Sequence, residues 1–128
     1  MTASCQLAAA QVIYNHMVVD QKQQERVDRC FHALADATRR DIVTCVLRSE
    51  QSVSALARRY PMSFAAVQKH VAVLERADLV KKRRHGREQL VRGNLAAIRV
   101  ASRALDRLEA EWRDRLERFE EVLAENKE

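Results

Sequence analysis

The residues with chemistry to offer are concentrated in one stretch of this 128-residue chain. Residues 58–92 hold ten Lys/Arg against three Asp/Glu, a net +7, while residues 1–57 are neutral and residues 93–128 net −2. Positive charge localised in this way is a footprint for a polyanion; spread evenly, the overall +5 would mean only a generally adhesive surface. Two groups of side chains lie inside it: Ser63, Phe64, Ala65, Gln68, Lys69 and His70, then Arg83, Arg84, His85 and Arg87. Guanidinium groups neutralise phosphates and set salt-sensitive affinity. A glutamine amide pairs in two-pronged fashion with adenine, a lysine serves guanine or phosphate, and apolar groups meet a thymine methyl. Double-stranded DNA is the polyanion this mixture suits. Gln68 is the expected base reader, Lys69 serves beside it, and Phe64 and Ala65 lie against thymine methyls. The arginines are expected on phosphates.

No catalytic chemistry competes with this. The chain has no Gly-rich phosphate loop, no metal-ligand spacing and no nucleophile paired with a base, so no enzyme activity, catalytic residue, metal or cofactor is expected. The odd cysteine count, Cys5, Cys30 and Cys45 at wide spacing, fits a reducing, cytoplasmic setting better than a disulfide scaffold. Cys30 and Cys45 read as small buried hydrophobes, with a redox pair as the alternative. His70 sits between groove-facing and core positions, so a phosphate contact and a satisfied structural histidine are both open. His85 alone reads as a solvated turn residue, with phosphate binding when protonated as the alternative.

These groups need elements to hold them. Two glycines and one proline leave a sheet-rich or loop-rich fold almost nothing to turn on, so the chain is expected to be mainly α. A hydrophobic fraction of 47% excludes disorder, and no apolar run approaches the roughly 18–20 residues of a membrane span. Residues 1–20 form an extension with Val12, Ile13, Met17 and Val18, weakly helical or partly disordered. From Gln21 to Asp36 the spacing of Val27, Cys30, Phe31 and Leu34 marks one helical face. Asp36 can cap a second helix from about Thr38, with Ile42, Cys45, Val46 and Leu47 inward. A short third helix, capped by Ser52 or Ser54, turns Leu56 and Ala57 inward. Tyr60-Pro61-Met62-Ser63 breaks the chain, and Ser63 caps a helix over 64–76 with Val67, Val71 and Leu74 inward. Two short helices about a proline-marked turn make a helix-turn-helix.

After Val80 the period changes. Lys81–Arg84 and Gln89–Arg92 read as two short strands about a turn at Gly86, a basic hairpin closed by Gly93-Asn94. One long helix follows, with Ile98, Ala101, Leu105, Leu108, Trp112, Leu116, Phe119 and Leu123 spaced three or four apart. Such a seam needs a partner surface. The expected layout is an extension over 1–20, a DNA-binding helix-turn-helix with hairpin over 21–94, and a pairing helix over 95–128 of the same domain.

Three runs, Phe31-His32-Ala33-Leu34-Ala35-Asp36-Ala37-Thr38-Arg39-Arg40-Asp41-Ile42, Met62–Ala77 and Arg83-Arg84-His85-Gly86-Arg87-Glu88, resemble the ArsR/SmtB family of winged-helix repressors in order and spacing. The resemblance spans roughly residues 24–123 and implies a homodimer built from the first and last helices, bound to an imperfect inverted-repeat operator. Phe31, Leu105, Leu108, Trp112, Leu116 and Phe119 are the interface residues this implies. Many members of the family bind metal through Cys-x-Cys before the recognition helix, where this chain has Ser52-Val53-Ser54. Serine hydroxyls do not replace thiolates as soft-metal ligands. No histidine follows His85, so the family's other metal site lacks its ligands too, and the inducing effector is left unnamed. The rival reading is a helical adaptor that binds another protein through its last helix; it accounts for the seam but not for the +7 block.

Overall fold

A computed structural model of the chain describes residues 3–127, with side chains except at positions 3, 16, 18 and 19, so the expected role of Val18 lies outside the described side chains. Five helices and a small sheet follow one another: α1 (Ala3–Leu34), α2 (Ala37–Arg48), β1 (Gln51–Ser52), α3 (Val53–Ala57), α4 (Phe64–Arg76), β2 (Val80–His85), β3 (Glu88–Gly93) and α5 (Leu95–Glu125). No described helix is long and apolar enough to cross a membrane.

The helix boundaries follow local chemistry. Asp36 accepts a hydrogen bond from the Arg39 amide at 3.0 Å, Ser52 from Ala55 at 3.0 Å and Ser63 from Ala66 at 3.1 Å. Each cap satisfies one of the amides that a helix start leaves without a partner. The end of α4 is a Schellman turn. The Leu79 amide reaches the Leu74 carbonyl and the Asp78 amide reaches that of Glu75, both at 3.0 Å. Asp78 occupies the left-handed position there, φ +59°, where glycine is usual. Asn94 Nδ2 donates to the Asp78 carbonyl at 2.8 Å, tying this turn to the start of α5.

The core is drawn from all five helices and from β2 and β3. Cys30 and Ala33 of α1, Ile42, Val43 and Val46 of α2, Leu56 of α3, Val67, Val71 and Leu74 of α4, Val80 and Val91 of the sheet, and Ala97 and Ala101 of α5 are buried together. Three details differ from the spacing-based expectation. α1 runs unbroken from Ala3 through the expected extension. On α2 the buried neighbour of Ile42 is Val43, and Leu47 is 42% exposed. The reason is that Leu47 packs over the edge of β3, where an added Cβ at Gly93 would fall 2.5 Å from its Cδ2. The third difference is a three-stranded sheet, order β1-β3-β2, where the pattern gives only a hairpin. β1 pairs Gln51 with Val91 and Ser52 with Leu90, anchoring the hairpin to the body.

Candidate nucleic-acid interface

α4 carries its apolar residues at the period of one face, and burial of Val67, Val71 and Leu74 leaves the opposite face in solvent. Ser63, Phe64, Ala65, Gln68 and Lys69 are all exposed there, Phe64 by 47%. The hairpin projects beside this face. Gly86, φ +64°, takes the first central position of its two-residue loop, the pattern of a type II′ turn. The registered pairs run from Val80 with Gly93 to His85 with Glu88.

Strand alternation divides the wing's charges. Lys82 and Arg84 share the face of buried Val80, toward α4; Lys82 Nζ lies 3.4 Å from Glu75 of α4. Arg84, Arg87 and Gln89 line a groove of about 460 Å³ with Phe64 and Gln68 across from them. Four of the expected DNA-contact residues, Phe64, Gln68, Arg84 and Arg87, therefore meet around one opening. Val53 and Ser54 of α3 line it too. They are missing from the expected contacts because only the folded hairpin brings the wing over α3.

Arg83 lies on the other face and is engaged. Its Nη2 and Nε donate to the two carboxylate oxygens of Glu50 at 2.8 and 3.0 Å. That bond holds the Glu50 carboxyl below its ordinary pKa and raises that of Arg83. His85 projects from the same face at the exposed tip. Alternation along the strand is the signal that separates Arg83 from Arg84; Glu50, 33 residues away, has no local signature.

His70 is half-buried and turned from the groove. Arg39 Nη1 lies 3.3 Å from His70 Nδ1, while Arg39 Nε and Nη2 donate to the Ala33 and His32 carbonyls at 2.7 and 3.2 Å. With a guanidinium donating, Nδ1 acts as the acceptor. Arg39 thus joins the C-terminal end of α1 to the middle of α4. Asp36, which takes the Arg39 amide, is held below the ordinary aspartate pKa by that bond.

The remaining candidates lie elsewhere. Cys30 is buried with Sγ 3.7 Å from the Ala77 carbonyl, and burial pushes its thiol pKa up. Cys45, half-buried, sits beside Asp41, whose carboxylate accepts from the Tyr60 hydroxyl at 2.5 Å. Desolvation first, and the Asp41 carboxylate second, raise the Tyr60 pKa, so it stays a neutral donor. This bond ties the turn before α4 to α2. On α5, Leu105, Leu108, Trp112, Leu116 and Phe119 are all exposed, Trp112 by 61%, and Phe31 is half-buried at the α1–α5 junction. On this helix Glu109 and Arg113 form an i,i+4 ion pair.

Comparison with known proteins agrees with this geometry. Residues 34–83 match a helix-turn-helix domain family. An HTH-type transcriptional regulator of Mycobacterium tuberculosis is 43% identical over 76 residues, covering 57% of this chain and 71% of the relative. Among solved structures, an ArsR-like transcriptional regulator from Rhodococcus is similar at a TM-score of 0.68 and 36% identity, covering 77% of this chain and 93% of that one. A homodimeric winged helix-turn-helix DNA-binding domain from Mycobacterium bovis, described as a possible ArsR-family regulator, is similar at a TM-score of 0.56 and 27% identity, covering 69% and 81%.

Proposed function

This chain belongs to the ArsR family of winged helix-turn-helix transcriptional regulators, non-enzymatic DNA-binding proteins, and from that premise we propose that it is a homodimeric repressor occupying an inverted-repeat operator in the cytoplasm. The observation that carries this reading is the shared opening in which Phe64 and Gln68 of α4 face Arg84 and Arg87 of the wing. With the α4 N-terminus in the major groove, Gln68 reaches an adenine edge while Arg84 and Arg87 meet flanking phosphates. Lys69 takes a phosphate or guanine beside it. Ser63, already the helix cap, brings free amides of the first turn toward a phosphate. Arg83 and His70 act behind the contact surface, Arg83 by fixing the wing to Glu50 and His70 by fixing α4 to Arg39.

Phe31 and the α5 seam from Leu105 to Phe119 form the pairing surface that sets the two recognition helices one DNA turn apart. A homodimeric relative supports a second copy as the partner. The signal that relieves repression is not a soft metal held before α4: the Ser52 hydroxyl oxygen is spent on the α3 cap, and Ser54 offers no thiolate.

The test is fluorescence anisotropy with duplexes tiled upstream of the protein's own gene. One duplex should bind far more tightly than its scrambled counterpart, with affinity falling steeply as salt rises. Equal affinity for both, or salt-insensitive capture of a protein partner in place of DNA, would replace the repressor with the adaptor.

A further inference from the structure

Seventeen residues at the start of α1, 3–19, contain no Lys, Arg, Asp or Glu, although they form a surface helix. Leu7, Val12, Ile13, Tyr14 and Met17 stand between 61 and 70% exposed along it. The far part of α5 has the same problem in a different form: Leu105, Leu108, Trp112, Leu116, Phe119, Val122 and Leu123 are 45–63% exposed. A helix stripe of this kind is stable only when covered. These two surfaces of one chain do not cover each other. α1 and α5 pack where Cys30 meets Ala97, and further out they part around an open crevice of about 470 Å³ lined by Gln24, Phe31, Ala104 and Leu108.

We propose that residues 3–19 are an intermolecular arm, packing on residues 105–123 of α5 in a second copy of the chain. The proposal rests on the homodimer reading above and assigns a role to a segment that the DNA-binding account leaves idle. Three observations single out a second copy as the occupant. The lengths match: at 1.5 Å per residue the arm spans about 25 Å and the receiving stretch about 28 Å. The crevice is lined by Asp20, the residue after the arm, and by Phe31 and Leu108 of the expected pairing surface, so arm and seam adjoin one opening. The area is sufficient. Twelve large apolar side chains per protomer, at roughly 70 Å² each, give about 1,700 Å² over two protomers, the size of a stable interface. A seam alone pairing with its copy would leave the uncharged arm in water.

The experiment uses the full chain with a benzophenone amino acid in place of Tyr14, mixed with isotopically labelled wild type, irradiated and digested. Sedimentation of the same mixture reports the oligomeric state. Cross-links joining residue 14 of one isotopic form to residues 105–123 of the other are expected. Ile13→Glu with Met17→Glu, at positions exposed and outside the core, should weaken dimerisation at least tenfold while leaving the thermal unfolding of the core unchanged. A dimer in which residue 14 cross-links only within its own chain, or misses α5, overturns the arm and leaves the homodimer standing. A monomer at every concentration overturns both.

Discussion

The wing's two faces make opposite predictions for arginines that are adjacent in sequence. Arg84 and Arg87 face the α4 groove, whereas Arg83 is already neutralised by Glu50 through a two-pronged bond of 2.8 and 3.0 Å. Replacing Arg84 and Arg87 by Ala removes four cations from the two wings of a dimer. If each meets a phosphate, the slope of log K against log salt falls in magnitude by about 3.6, at ~0.9 per phosphate. Between 50 and 200 mM salt, wild type should then lose about 150-fold more affinity than the double variant. Arg83→Ala should change the slope by less than about 1, since its charge has a protein counterion in the free state. Anisotropy titrations at five salt concentrations, on operator and scrambled duplexes, give the slopes. The double variant should weaken both duplexes alike, because phosphate contacts carry no sequence information. An Arg83→Ala slope as shallow as that of the double variant, or a double variant indistinguishable from wild type, would refute this placement of the wing.

Substitutions on the recognition helix, the α5 seam and the end of β3 have equally definite outcomes. Gln68→Ala should relax base preference at one position per half-site, costing about 1–3 kcal/mol there and little elsewhere; binding to a set of operator point variants measures it, and an unaltered preference profile removes Gln68 as the reader. Leu108→Glu with Leu116→Glu should give folded monomers with weak operator binding, both side chains being exposed in the single chain; sedimentation that still shows dimers would discard the α5 seam. Gly93→Ala should lower stability by about 1–3 kcal/mol through overpacking, because the new methyl would meet Leu47 Cδ2 at 2.5 Å and its Cα at 3.0 Å. Pairing it with Leu47→Ala should recover part of that loss in thermal melts, and no change in either melt would mean that the contact is slack.

What the sequence reveals of this fold is what local chemistry controls. Asp36 and Ser63 are legible as caps because a cap bonds three residues ahead, and Gly86 as a turn because glycine takes a positive φ without steric cost. The α5 seam is legible from its period, and the structure adds that no described residue of the same chain covers it. Features made by distant segments leave no such trace. β1 is two residues long and exists only because β3 passes beside it. Leu47 faces β3 instead of the core, and Arg83 meets a glutamate 33 positions away. Within the candidate site, the residue types of α4 and the wing point to DNA, but which arginines face the groove is decided by strand register, and the place of His70 by its bond to Arg39.

Nuclease footprinting on DNA upstream of the protein's own gene, coupled to transcription from the same template, decides whether the chain is an operator-bound dimeric repressor. Two protected half-sites of an inverted repeat one helical turn, or a multiple of it, apart are expected, occupied by two chains, with transcript falling as occupancy rises. Protection of a single half-site by one chain, no site above the scrambled background, or transcript rising with occupancy would contradict this reading.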